Sequence, residues 1–173
     1  WVNRQNKTKL LSMPAQIYGT PKLSPDGMHL AIVVVAGARQ DVYIYDIATG
    51  RPTRLTLKGN NWSPVWTPDG RRVVYAKMKE NYNDLYIYNL DTEKIKRISR
   101  NLRAKDPAVS PDGKQIAFVR NKDGSTNLGL MNLDGTNIRY LTNYNDGTQI
   151  YAPSWSPDGK YLFLHHPCQN RYS

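Results

Sequence analysis

The chain has 173 residues, of which 39% are hydrophobic, and it carries a formal net charge of +10 at neutral pH. This length suits one domain with its own hydrophobic core, and we expect a single domain over residues 1–173. The longest apolar run, residues 30–36, is much shorter than the roughly 18 residues of a membrane helix, so no transmembrane segment is predicted. The excess of basic over acidic residues favours an acidic protein, an anionic lipid surface or a nucleic acid as partner, although the charge is spread along the whole sequence.

A Pro-Asp-Gly tripeptide recurs four times along the chain, at spacings of 43, 43 and 46 residues. A period near 43 residues is typical of the four-stranded blades of β-propellers. Proline presets φ, aspartate accepts a hydrogen bond from the following backbone, and glycine takes a positive φ. Each copy therefore predicts a tight structural turn. The aspartates and glycines concerned are Asp26 and Gly27, Asp69 and Gly70, Asp112 and Gly113, and Asp158 and Gly159.

Each repeat contains the signals of four short strands around this turn. In the first repeat a strand precedes the turn, a second covers residues 30–34, a third covers residues 41–47 and a fourth ends at residues 55–56. Both faces of the second and third strands are apolar or aromatic, which requires a neighbouring sheet on each side. No segment shows a sustained helical period, so the sequence predicts an all-β fold.

The fold class predicted is a β-propeller of four-stranded antiparallel blades, with three whole blades and two half-blades. Two arrangements stay open: a fragment of a larger ring of about six to eight blades, or a four-bladed ring closed by the two half-blades. The first residue is Trp1 rather than Met, as expected for a chain that is processed, trimmed or cut from a longer one. In chain order the units are a half-blade at residues 1–12, blades at residues 21–56, 64–100 and 107–142, and a half-blade at residues 153–166.

Three segments suggest a metal site and are better explained structurally. His165 and His166, just before Cys168, are adjacent in a predicted strand and point to opposite faces, so they do not easily bind one ion. The segments at residues 81–84 and 143–147 lack the closing glutamate of a calcium loop. No Gly-x-Ser-x-Gly elbow, phosphate loop or dinucleotide fingerprint occurs. We expect no catalytic residues, no metal and no cofactor in this chain.

A basic rim is the predicted partner-binding surface. The densest basic stretch follows the third strand of the second repeat, and fourth strands lie on the rim of a propeller. Lysine and arginine there also keep exposed edge strands from pairing with other chains, so a purely solubilising role stays open. Nucleic acid fits poorly because the aromatic residues lie on strands that should be buried. The rim consists of Arg54, Arg97, Arg100, Arg103 and Arg139, with Arg54 and Arg139 expected at positions comparable to Arg97.

The repeat resembles the TolB-like propeller repeats, a bacterial relative of the WD-repeat blades. The resemblance is carried by residues 63–75 (Ser-Pro-Val-Trp-Thr-Pro-Asp-Gly-Arg-Arg-Val-Val-Tyr), by residues 152–160 (Ala-Pro-Ser-Trp-Ser-Pro-Asp-Gly-Lys) and by residues 84–90 (Asp-Leu-Tyr-Ile-Tyr-Asn-Leu), and it covers about residues 1–166. It implies a periplasmic or otherwise extracytoplasmic protein. Similar repeats also occur in the propeller domains of prolyl-oligopeptidase-like peptidases.

The leading functional hypothesis is a non-enzymatic scaffold that mediates protein–protein interaction as a subunit of a larger assembly. Its partner would be a protein, acidic or membrane-associated, that contacts rigidly held loops and the mouth of a central funnel. Two alternatives stay open. The chain is the gating domain of a peptidase whose catalytic domain is missing, or it binds a sugar or another small ligand in its central channel.

Overall fold

A computed structural model describes residues 5, 6, 8, 11 and 13–166. These residues form β-strands, turns and connecting segments and contain no α-helix. In this part of the chain no helix is long and apolar enough to cross a membrane. The all-β prediction is confirmed. The half-blade expected over residues 1–12 lies almost wholly outside the described residues, and so do Pro167 and Cys168.

The strands form four antiparallel sheets that follow one another along the chain, and we name them blades 1 to 4. Blade 1 contains β1 (Ile17–Tyr18), β2 (Lys22–Leu23), β3 (His29–Ala36), β4 (Arg39–Asp46) and β5 (Pro52–Arg54). Blade 2 contains β6 (Asn60–Trp66), β7 (Arg72–Lys79), β8 (Tyr82–Asn89) and β9 (Lys94–Arg97). Blade 3 contains β10 (Ala104–Val109), β11 (Gln115–Lys122), β12 (Ser125–Asn132) and β13 (Arg139–Tyr140). Blade 4 contains β14 (Tyr151–Trp155) and β15 (Leu162–His165).

Within a blade each strand pairs with the next one along the chain, so the blade is a simple meander. Blade 1 differs because its first strand is split into β1 and β2, which both pair with β3. The first strands begin a few residues earlier than predicted, since the residues before a proline still pair across a bulge. The choice between a larger ring and a four-bladed ring stays a prediction.

The meander gives the stack two distinct ends. The turn end carries the Pro-Asp-Gly turns and the turns between the third and fourth strands. The hairpin end carries the tight hairpins between the second and third strands, such as the one between β7 and β8. It also carries the connectors that lead from one blade to the first strand of the next blade, such as residues 98–103.

The four Pro-Asp-Gly turns share one hydrogen-bond pattern. In the first turn the Asp26 carboxylate accepts from the Ser24 hydroxyl and from the backbone N–H of Met28. The corresponding pairs recur in the other three turns. Each turn glycine has φ between 69° and 73°, a left-handed conformation that a β-branched residue resists. These turns are built from local contacts, which is why their sequence is so regular.

The core lies between the blades rather than inside one sheet. One apolar cluster joins blades 1 and 2 around Tyr75, a second joins blades 2 and 3 around Phe118, and a third joins blades 3 and 4 around Ile150. The indole N–H of Trp66 donates to the carbonyl of Lys22 in the preceding blade at 2.9 Å. Because the middle strands are covered on both faces, they have no polar face.

Candidate functional site

A buried carboxylate anchors the outer strand of blade 1. Asp41, at the start of the third strand, is 5% exposed. It accepts hydrogen bonds from the Thr56 hydroxyl at 2.9 Å and from the Arg54 guanidinium at 2.6 Å. The Thr56 hydroxyl in turn accepts from the backbone N–H of Val42 at 2.9 Å. Arg54 therefore forms an ion pair with Asp41 that ties the fourth strand to the third.

Blade 2 repeats this arrangement with greater burial. The Asp84 side chain is fully buried and accepts from the Arg97 guanidinium and, at 2.8 Å, from the Ser99 hydroxyl. It also accepts from the backbone N–H groups of Asn101 and Leu102. The hydrogen bond to Asp84 raises the pKa of Arg97 above its ordinary value. Asp84 thus fixes the segment that connects blade 2 to blade 3, and Arg97 adds hydrogen bonds to the carbonyl of Ser99 and to the side-chain oxygen of Asn101.

Blade 3 corrects the predicted position of Arg139. Tyr140, not Arg139, lies opposite Gly129, in the place that Arg97 takes opposite Tyr86. Arg139 lies opposite Leu130 and is exposed, like Lys96 opposite Ile87 in blade 2. The sequence predicts Arg139 as the equivalent of Arg97. The strand register of blade 3 places the next residue, Tyr140, at that position instead.

Asn127 replaces the buried carboxylate in blade 3. Its side-chain oxygen accepts from the Thr142 hydroxyl at 3.0 Å and from the backbone N–H of Tyr144 at 2.6 Å. Its amide group donates to the carbonyl of Tyr144 at 3.0 Å. A neutral amide needs no cation beside it, which is consistent with tyrosine at the position of Arg97.

The proposed basic rim therefore divides into two groups. Arg54 and Arg97 are engaged by buried carboxylates, while Arg100, Arg103 and Arg139 are exposed. The Arg103 guanidinium lies over the Tyr82 ring, 5.0 Å from its centre. Arg100 and Arg103 belong to the connector at the hairpin end. Arg54 is itself exposed, so an internal ion pair does not exclude it from partner contacts, and the partner-binding role of the rim stays a prediction.

The suspected calcium loops have structural roles in the described part of the chain. Asp84 is buried against Arg97, and Asp146 accepts from the hydroxyl and the backbone N–H of Thr148. The Thr148 hydroxyl lowers the pKa of Asp146. Among the described residues no three His, Cys, Asp or Glu side chains come together as a potential metal site.

A pocket of about 470 Å³ lies where the first strands of all four blades meet, and we name it the axial pocket. Sequence reasoning anticipated a central channel but none of its residues. The signal is the proline that stands four residues before each Pro-Asp-Gly turn, because it marks a bulge in the strand. The four blades contribute Gly19 and Thr20, Ser63 and Pro64, Asp106 and Pro107, and Ala152 and Pro153.

The bulges hold non-glycine residues in a strained backbone conformation. Ser63, Asp106 and Ala152 each precede a proline and have φ of 51°, 49° and 46°. Left-handed conformations of such residues cost free energy and persist where the surrounding structure imposes them, often at binding sites. The Ser63 hydroxyl donates to the Asp106 carboxylate at 3.0 Å, which joins blades 2 and 3 at the pocket wall.

The chemistry of the axial pocket suits recognition. Its walls combine the apolar side chains of Val33, Val35 and Trp62 with polar groups of Gln40 and Asp106. Apolar walls with a few fixed polar groups are the usual composition of a binding site. The pocket is large enough for a protruding side chain or a short stretch of peptide.

Comparison with known proteins gives one family. The family model described as the TolB beta propeller domain matches residues 4–173. The protein described as a TolB homolog from Chlorobium chlorochromatii (strain CaD3) is 45% identical over 47 residues, which are 27% of this chain and 11% of the homolog.

Two solved structures illustrate how far the likeness extends. TolB from Acinetobacter baumannii superimposes with a TM-score of 0.76 at 25% identity, over 89% of this chain and 39% of that one. A prolyl endopeptidase structure superimposes with a TM-score of 0.62 at 16% identity, over 87% of this chain and 26% of that one, and shares the fold alone. The chain spans less than half the length of these TolB relatives.

Proposed function

Because the chain belongs to the TolB beta propeller domain family, we propose that it is a non-enzymatic scaffold that binds a protein partner. We place it as a subunit of a larger assembly outside the bacterial cytoplasm, which is what the resemblance to TolB implies. The axial pocket is the observation that carries the proposal.

We expect the axial pocket to be rigid, because interblade packing and hydrogen bonds surround its walls. Interblade clusters cover both faces of the middle strands, and Trp66 and Trp155 each hydrogen-bond to a carbonyl of the preceding blade. A rigid, partly apolar pocket loses little entropy on binding, which favours docking of a preformed partner. The strained residues at its wall are therefore held in place before the partner arrives.

Site-specific photo-crosslinking in cells tests this proposal. A photoreactive phenylalanine analogue is placed at Ser154, which is exposed and lines the axial pocket. The matched control carries it at Thr92, which is exposed at the turn end. We expect the full-length protein to crosslink to one protein from Ser154 and not from Thr92. Crosslinks that are identical at both positions, or absent at Ser154, would contradict the proposal.

Location is tested separately with a reporter fusion. Alkaline phosphatase becomes active only where its disulfides form, outside the cytoplasm. Fused to the full-length protein, it is expected to be active in intact cells. An inactive fusion that is nevertheless expressed and folded would contradict the extracytoplasmic assignment.

The peptidase alternative has the support of a shared fold alone. It predicts that the full-length protein hydrolyses a chromogenic peptide after proline and that a serine-directed inhibitor abolishes this activity. We expect no hydrolysis above the rate of a purified sample inactivated by heat.

A further inference from the structure

The two ends of the blade stack differ in charge. At the turn end, carboxylates are as frequent as cations, because every Pro-Asp-Gly turn contributes an aspartate. At the hairpin end, exposed cations dominate, and they lie on the hairpins and connectors of three successive blades. They are Arg39, Lys58, Lys79, Arg100, Arg103 and Lys122, against the exposed carboxylates Glu80, Asp123 and Asp146.

Ion pairing increases this contrast. At the turn end cations lie beside carboxylates, as in the pairs of Arg72 with Asp69 at 2.9 Å and of Lys160 with Asp158 at 3.7 Å. At the hairpin end, Arg39 pairs with Asp41 at 3.5 Å and Lys122 with Asp123 at 4.0 Å. The other four cations of that end form no ion pair within the described part of the chain; they are Lys58, Lys79, Arg100 and Arg103. Their charges are therefore available to an external partner.

We propose that the hairpin end is a binding face for an anionic lipid bilayer. The exposed cations are distributed over the tips of blades 1, 2 and 3, so no short acidic segment meets them all. An extended anionic surface does meet them, and lysine and arginine near such a surface each add a similar increment of attraction. This inference does not depend on the protein partner proposed for the axial pocket.

Apolar side chains at the same end fit this partner. Leu57 is 67% exposed and immediately precedes Lys58. Tyr82 and Tyr144 are each 38% exposed, and tyrosine is enriched at the level of lipid headgroups. A groove of about 510 Å³ opens between blades 1 and 2, with Leu57 and Met78 beside Arg39 and Lys58, and the carboxylate of Glu80 also lines it. The two cations can meet a phosphate group, and the apolar side chains can meet the adjoining glycerol ester.

The test uses cosedimentation of the full-length protein with lipid vesicles. Vesicles of phosphatidylglycerol and phosphatidylcholine are compared with vesicles of phosphatidylcholine alone. We expect binding to the first, little binding to the second, and a loss of binding as salt is raised, because salt screens the charges. Equal binding to both vesicle types, or to neither, would overturn the proposal.

Two triple variants with the same change in net charge locate the face. The hairpin-end variant carries Lys58→Glu, Lys79→Glu and Arg100→Glu. The turn-end variant carries Arg71→Glu, Lys114→Glu and Lys160→Glu, all at exposed positions. We expect the hairpin-end variant to bind at least about tenfold more weakly than the turn-end variant. Equal losses would show that net charge alone drives binding, and this result would overturn the proposal.

Three further measurements keep the result unambiguous. Circular dichroism must show the same strand content in both triple variants, since substitutions at exposed positions in turns and at a strand end should not affect folding. Leu57→Ser, which leaves the net charge unchanged, is expected to weaken vesicle binding severalfold at low salt, where the cations hold the protein on the vesicles. Retention on immobilised polyglutamate together with no vesicle binding would assign the face to an acidic protein and overturn the lipid proposal.

Discussion

Arg97 donates a hydrogen bond to the fully buried side chain of Asp84 and so joins the last strand of blade 2 to its third strand. The Ser99 hydroxyl and two backbone N–H groups complete the shell of that carboxylate. Removing the guanidinium would leave a buried charge without its cation, which costs far more than an exposed ion pair contributes.

We therefore predict that Arg97→Ala lowers the free energy of unfolding by about 3 kcal/mol. Arg139→Ala is the control, because Arg139 is exposed and makes no contact with a buried carboxylate; it is expected to change stability by less than about 0.5 kcal/mol. Urea denaturation followed by tryptophan fluorescence measures both. Equal effects of the two substitutions would contradict the register of blade 3.

The pair in blade 3 suggests a compensating double variant. Asp84→Asn with Arg97→Tyr copies the side chains that blade 3 places at these positions, Asn127 and Tyr140. We expect the double variant to be less destabilised than the sum of the two single variants, by about 1 kcal/mol or more, because neither buried partner is left charged. Strict additivity in a double-mutant cycle would mean that the two positions do not interact.

Gly129 is required by the ring of Phe118. A Cβ atom at Gly129 would lie 2.4 Å from the Phe118 ring, closer than such atoms approach in proteins. Blades 1 and 2 carry tyrosine at this position, opposite Arg54 and Arg97. We predict that Gly129→Tyr, which restores the residue of the other blades, destabilises the fold by about 2 kcal/mol or more. An unchanged thermal midpoint would contradict this contact.

The second turn provides a test of backbone conformation alone. Gly70 has φ of 69°, and the nearest atom to an added Cβ is Pro25 Cδ at 3.8 Å, so there is space for a side chain. We predict that Gly70→Val lowers the free energy of unfolding by about 1 to 2 kcal/mol through the positive φ. Gly70→Asn is the matched control and should cost less, because asparagine tolerates this conformation. Chemical denaturation gives both values.

Acid should weaken the turn end. Hydrogen bonds from Ser24, Ser110 and Ser156 lower the pKa values of Asp26, Asp112 and Asp158. Burial by itself raises the pKa of Asp69, but hydrogen bonds from Thr67, Arg71 and Arg72 outweigh it and bring the pKa to about 2.

A carboxylate with a lowered pKa stabilises the fold above the pKa of the unfolded chain, about 3.9, and this contribution is lost as pH falls through the folded value. We therefore predict that stability is flat from neutral pH to about pH 5 and falls between about pH 4 and pH 2. Asp69→Asn should reduce the steepness of this fall, and an unchanged steepness would contradict the role of this carboxylate. Denaturation midpoints measured across this range would show either result.

The sequence by itself determined the blade architecture. The Pro-Asp-Gly turns depend on contacts between residues no more than five apart, such as Ser24 with His29, and therefore leave a readable local pattern. The apolar character of both strand faces, as in β12, likewise follows from residue types alone. These local signals were sufficient to predict an all-β propeller and the TolB family.

Only the tertiary structure decided the register of blade 3, the ion pairs and the axial pocket. Arg139 and Tyr140 are neighbours in sequence, and nothing local shows which of them lies opposite Gly129. Asp106 and Ser63 are 43 residues apart and meet because two blades stack at a fixed angle around one axis. Contacts of this kind depend on how sheets pack, so they leave no trace in the local pattern from which the strands themselves can be predicted.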